Sequence, residues 1–459
     1  MHPKHEFTQR QQRARHAQRA SSAMEFFNVL TGEELLEVTE AHLPEHRERL
    51  YPPTVTLSMF VRQALDPDRS CQRAVNGWAL ARAAEGLKPP SVRTGGYCRA
   101  RARLPCAMVQ ALTRASGQAL SARARPEWGW RGRPVKLLDG TGISMPDTAG
   151  NQAAYPQPSY QAKGVGFPLA RVAVLMCLSS GALLEAASGP HSGPGNSELD
   201  LSRALLSSLQ RGDVLLADAL YAHYFLIVQL IEAGVDVLLE QHGSRRTDFR
   251  RGERLGTRDH RVRWPKPPAR PGWMSREQYR SAPRQIELRE VRVGGQILVT
   301  TLLDARAVRK PELAALYRRR WHVELDLGCL KSTLGMGILR GRSPAMVEKE
   351  LWVYLLAYNL IRLLMAQAAA HTGQAPRALS FKHTVQMWGA WRSSGCATGG
   401  TVDPAILFEL IATVRVGQRP GRHEPRARKR RPKSYPWLKV PRHVARRRSP
   451  ADPVWQRVK

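Results

Sequence analysis

Residues 317–331 read YRRRWHVELDLGCLK, and the pattern is helical. Pro311 upstream suits a first helical turn, where an N–H would be unpaired in any case. Leu313, Leu316, Val323, Leu327, Leu330 and Leu334 recur at helical spacing as one apolar stripe. Arg318 and His322 fall on the opposite, wet side. Between these faces Tyr317, Glu324 and Lys331 are spaced about two turns apart, so they stack in one row. Arg320 lies one turn before Glu324, close to that row. One carboxylate is therefore ringed by a phenol, a guanidinium and an ammonium beside a buried stripe. A solvated charged face with ordinary i,i+4 neighbours is the competing reading.

Two aspartates upstream stand in suggestive settings. Asp139, in KLLDGTG, follows a short apolar run and is expected at a strand end, with Gly140 letting the backbone approach a ligand. An aspartate before a glycine is otherwise an ordinary turn. Asp218, in VLLADALY, ends a buried strand, where a carboxylate is costly unless it is paired or binds a cation. The region from Val135 alternates strands and helices. Leu169–Leu178 and Ala182–Ala187 read as strands joined around Ser179–Gly181. Ser197 caps a helix to Leu209, Val214–Ala217 is a strand, Tyr224–Ala233 a helix and Val235–Glu240 a strand. Pattern alone makes this an α/β protein.

The spacing Y-x2-R-x3-E-x6-K at Tyr317, Arg320, Glu324 and Lys331 resembles the signature of the insertion sequence four family of DDE transposases. The boxes Asp139-Gly140-Thr141 and Asp218-Ala219-Leu220-Tyr221 resemble the family's first two acidic boxes, in the same order. The resemblance spans about residues 130–372. It implies a ribonuclease H-like catalytic core from 131–240 and 304–372, interrupted by a β-rich insertion at 241–303. It also implies metal-dependent cleavage and strand transfer of double-stranded DNA, at element ends and target, by a homodimer on DNA in the nucleoid-associated cytoplasm. By resemblance Asp139 bridges two Mg²⁺ ions (Mn²⁺ substituting), with Asp218 and Glu324 each holding one. Carboxylates suit such hard cations where His or Cys would not. Tyr317, Arg320 and Lys331 then hold phosphates near the cut. A transposase-derived DNA-binding protein without catalysis, and a nuclease without strand transfer, are the alternatives.

The remaining chain fits a polyanionic partner. Among 459 residues, 71 are Lys or Arg and 38 are Asp or Glu, a net charge of +33 that points to nucleic acid. Residues 1–22 are a basic, frayed start; 23–130 form a helical, DNA-binding segment; 373–414 are helical; and 415–459 are a basic tail that builds no core. Helices are expected at Gly32–Thr39, Leu57–Leu65, Cys71–Ala84 and Pro105–Leu120, with a basic glycine turn over Thr94–Pro105. Leu351–Ala370 is apolar but interrupted by Asn359 and Arg362, as a buried core helix is and a membrane span is not. Six cysteines without a C-x-x-C pair support neither zinc nor a disulfide scaffold. Glu198 and Asp200 read as partners of a helix dipole, and His191, His223, His242 and His260 lack ligand spacing. In the insertion, Trp264 and Trp273 stand among arginines and prolines, a composition suited to stacking unpaired bases. By resemblance one such aromatic receives a base flipped from the DNA end.

Overall fold

A computed structural model describes residues 37–38, 41–43, 50–84, 86–193, 195–398, 404–417 and 437–448. The expected frayed start and most of the basic tail lie outside the described residues, as does most of the helix expected at Gly32–Thr39.

Nine strands form one mixed sheet in the order β3-β2-β1-β4-β5-β9-β8-β7-β6. β1 (Val135–Ser144), β2 (Leu169–Cys177) and β3 (Leu183–Pro190) are antiparallel neighbours. Gly181, at φ 77°, supplies the left-handed residue in the turn between β2 and β3. β4 (Val214–Ala217) and β5 (Asp236–Glu240) run parallel to β1. Val214 to Ala217 are all buried, which is why this strand reads as an unbroken apolar run.

The insertion continues the core sheet. It contributes β6 (Glu253–Gly256), β7 (Asp259–Pro265), β8 (Gln285–Val293) and β9 (Gln296–Thr300), and β9 pairs antiparallel with β5. The Gly294–Gly295 hairpin falls where the sequence puts it, between β8 and β9.

The N-terminal helices are α1 (Pro53–Leu65), α2 (Cys71–Ala84), α3 (Gly95–Arg103) and α4 (Cys106–Ala122). α3 corrects the expected basic turn. Tyr97 is fully buried, and Arg101 lies 4.2 Å from the Phe60 ring centroid while donating to Gln63 Oε1 at 3.0 Å. Two of the aromatic and basic side chains of this stretch thus pack inward, and the helix around them follows.

Further helices are α5 (Ala149–Ala154), α6 (Glu198–Leu205), α7 (Tyr224–Glu232) and α8 (Arg276–Ser281). α9 (Lys310–Arg318) and α10 (His322–Gly328) are followed by α11 (Pro344–His371), α12 (Phe381–Thr398), α13 (Pro404–Ala412) and α14 (Arg442–Arg448). α14 shows that the described end of the tail is helical, with Ala445 buried. α11 is long and apolar enough to cross a membrane, but 89% of its apolar window is buried inside the protein. It packs on α1, α4, α12 and α13. Its two polar interruptions have partners. Asn359 accepts from Leu183 N at 2.8 Å and donates to the Thr113 and Leu183 carbonyls, each at 2.9 Å. Arg362 pairs with Asp326.

Candidate active site

β1 does not end at Asp139. It runs on to Ser144, paired with β2 throughout, so Asp139 is a mid-strand residue rather than the expected strand end. What ends beside it is the parallel pairing with β4, whose last matched pair is Leu137 with Leu216. Continued by two residues, that register sets Asp139 alongside Asp218, the first residue past β4. Asp218 caps a 3₁₀ turn, Ala219–Tyr221, and its Oδ1 accepts from Leu220 N at 2.9 Å. Both aspartates thus stand at the carboxyl ends of the parallel pairing, where open α/β sheets place their sites.

The helical stretch over them is irregular. α9 passes through a 3₁₀ turn at Arg319–Trp321 into α10, which ends in a π turn at Cys329–Thr333. The predicted stripe holds: Leu313, Leu316, Val323, Leu327, Leu330 and Leu334 are all buried. The predicted row also holds. Tyr317 Oη lies 3.4 Å from the Ala217 carbonyl, one residue before Asp218. Arg320 donates to Glu324 Oε1 at 3.0 Å and stands 4.0 Å from Asp139 Oδ2. Lys331 Nζ donates to Thr141 Oγ1 at 2.9 Å. Each of these side chains reaches one of the acidic boxes or its flank. His322 corrects the expected wet face. It is half-buried, and burial, aided by Arg377, lowers its imidazole to about 4.

Burial pushes the Asp139 carboxyl up to about 7. The Gly140 N–H, bonded to Oδ1 at 2.8 Å, and Arg320 oppose this, while the negative charges of Glu198 and Asp218 add to it. Burial likewise raises the Tyr317 phenol, with Glu240 and Asp218 in support. Glu198 is the residue that sequence reasoning set aside. Gly140 leaves room for its carboxylate, because a methyl there would lie 2.6 Å from Glu198 Oε2. The glycine of the first box therefore admits a side chain of the protein itself. Asp200 behaves as expected, forming a capping box with Ser197.

Among the described residues no three His, Cys, Asp or Glu side chains stand together as a metal cage. The acids whose charge acts on Asp139 are nevertheless Glu198 and Asp218, and carboxylate oxygens are the chemistry a hard divalent cation takes. Arg320, between Asp139 and Glu324, provides the positive charge those two carboxylates require. The residue types fit such an ion.

The two tryptophans differ. Trp264 is 2% exposed, donates from Nε1 to Glu290 Oε1 at 2.7 Å, and is covered by Arg245 at 3.6 Å. Trp273 is 38% exposed, with Arg203 of α6 at 4.4 Å from its ring centroid.

The profile of the family described as Transposase DDE domain matches residues 130–360 of this chain. That span holds both acidic boxes and the helical row, and the chain belongs to the DDE transposase family. Within the family it is similar to the transposase InsG for insertion sequence element IS4 of Escherichia coli (strain K12). The identity is 28% over 407 residues, covering 85% of this chain and 88% of the relative. Among solved structures, a piggyBac transposase synaptic complex with hairpin DNA aligns over 92% of this chain and 88% of that one. Its TM-score is 0.43 at 9% identity, too distant to bear on the site.

Proposed function

We propose that Asp139, Asp218 and Glu324 form the catalytic triad of a ribonuclease H-like core that cuts and joins the DNA ends of an insertion sequence. The observation that carries this reading is the β1–β4 register, which aligns Asp139 with Asp218, together with Arg320, which links Asp139 to Glu324. The order β3-β2-β1-β4-β5, three antiparallel strands followed by two parallel to β1, supports the ribonuclease H-like assignment.

On this reading Asp139, Asp218 and Glu324 hold divalent ions, Mg²⁺ or Mn²⁺. Such ions, when bound by these three carboxylates, would supply Lewis-acid activation of a nucleophilic oxygen and charge stabilisation at the leaving 3′ oxygen. Arg320 releases the carboxylates and turns to a phosphate oxygen, for which its planar fork is suited. Lys331 moves from Thr141 to the scissile strand, and the buried Tyr317 fixes the helix over the end of β4. Trp273, exposed beside α6, is the better placed of the two tryptophans to stack a displaced base. A stacking role for Trp264 requires its Glu290 bond and its Arg245 cover to open. The net charge of +33 supports nucleic acid as partner; on this reading it is double-stranded DNA, element ends and target, and the chain acts on it as a homodimer in the cytoplasm.

The test is incubation of the full chain with Mg²⁺ and DNA carrying the inverted repeats that flank its gene. Cleavage at the repeat ends with joined products supports the reading. Cleavage without joining favours a nuclease, and end binding without cleavage favours a DNA-binding protein that has lost catalysis.

A further inference from the structure

Glu198 occupies a position no acidic box accounts for. It is the first residue of α6, where it suits the helix dipole as expected, while the cap itself is made by Ser197 and Asp200. The Glu198 carboxylate has two fixed neighbours. One is the backbone of Gly140, whose missing Cβ makes the space it fills. The other is Tyr221, whose hydroxyl donates to Glu198 Oε1 at 2.9 Å. Tyr221 is fully buried and closes the 3₁₀ turn that Asp218 caps. Ser202 Oγ, one turn along α6, lies 3.2 Å from the same hydroxyl and is itself buried. One side chain therefore touches the residue after Asp139 and the residue that ends the turn begun by Asp218.

We propose that Glu198 is a positioning residue of the transposase reaction. Through Gly140 and Tyr221 it fixes the separation of Asp139 and Asp218, and with it the geometry offered to the ions. The cap of α6 is made by Ser197 and Asp200, so the Glu198 carboxylate is left for Gly140 and Tyr221. The proposal rests on the assignment of Asp139 and Asp218 above.

The test uses the full chain with Mn²⁺ as the probe, free ion followed by electron paramagnetic resonance, beside cleavage kinetics on end DNA. Glu198→Ala is expected to weaken Mn²⁺ binding and lower kcat, each by about tenfold to a hundredfold, the usual effect of losing an orienting contact. KM for end DNA should be unchanged. Glu198→Gln keeps an oxygen for the Tyr221 hydroxyl and should recover most of both losses, while Tyr221→Phe should reproduce part of them. If Glu198→Ala fails to fold, Gly140→Ala gives the same readout, because the added methyl displaces the Glu198 carboxylate with every acid retained. Wild-type Mn²⁺ affinity and kcat in Glu198→Ala or Gly140→Ala overturn the proposal. So does a Glu198→Gln variant as impaired as Glu198→Ala, which assigns the effect to charge. Asp139→Asn separates the two levels. If it abolishes cleavage while Glu198→Ala has no effect, only the Glu198 proposal falls; if it cuts normally, the triad assignment falls and takes the proposal with it.

Discussion

Lys331 donates a hydrogen bond to Thr141 at 2.9 Å, tying the π turn after α10 to the first acidic box. The ammonium is thereby held at Thr141, two residues along β1 from Asp139. On DNA it is expected to exchange the hydroxyl for a phosphate. Lys331→Ala should weaken end binding and reduce the slope of log affinity against log salt by about one. An unchanged slope would leave Lys331 as a tie between helix and strand.

Asp326 is fully buried two residues beyond Glu324, paired with Arg362 of α11 and, at 2.8 Å, with Arg377. This cluster fastens α10 to α11. Removing the shared anion strands two guanidinium groups in the interior. Asp326→Ala should cost about 3–5 kcal/mol of stability in denaturant titrations. A loss below about 1 kcal/mol, the range of exposed pairs, would contradict this role.

His322 gives the fold a defined acid sensitivity. Its imidazole is lowered from 6.5 to about 4 in the folded chain, burial being the main cause. Between those values the unfolded chain binds more protons, so stability rises with pH across the window and is lost as pH falls from 6.5 to 4. His322→Asn should flatten that part of a melting-temperature profile. An unaltered profile would show that the imidazole keeps its ordinary affinity for protons.

The tryptophans of the insertion should separate by stability. Trp264→Ala removes a buried ring and its bond to Glu290, and should cost about 3–5 kcal/mol. Trp273→Ala should barely change the melting temperature. If Trp273 stacks a displaced base, its loss should slow end processing by roughly tenfold or more, since stacking contributes about 1–3 kcal/mol per base. Normal end processing by Trp273→Ala would remove it from the DNA interface.

Much of this architecture was legible because its residues signal their surroundings directly. The unbroken apolar run before Asp218 marks a strand buried on both faces, and the leucine stripe of α9 and α10 marks one buried helix face. The misreadings have equally physical sources. The apolar run stops at Asp139 and Gly140 follows, so a strand end is expected there, yet the long pairing with β2 carries β1 on to Ser144. Gly95 and Gly96 read as a break, yet the buried Tyr97 and Arg101 draw the segment into α3. Asp326 and Arg362 lie far apart in the chain, and only the packing of α10 near α11 reveals them as a pair. Glu198 at a helix start has a sufficient local explanation, so its contacts with Gly140 and Tyr221 emerge only in three dimensions.

The central claim is that Asp139, Asp218 and Glu324 serve one chemical step, and strand cleavage by single variants tests it most directly. Labelled end DNA with Mg²⁺ is cut by wild type, Asp139→Asn, Asp218→Asn and Glu324→Gln in parallel, with end binding measured on the same samples. The metal-held charge stabilisation at stake is worth several kcal/mol, so each variant should lose cleavage by about a thousandfold or more. End binding should stay within about threefold of wild type, because a free-energy change under about 1 kcal/mol is expected from one neutralised acid. Wild-type cleavage by any one of the three would contradict the account.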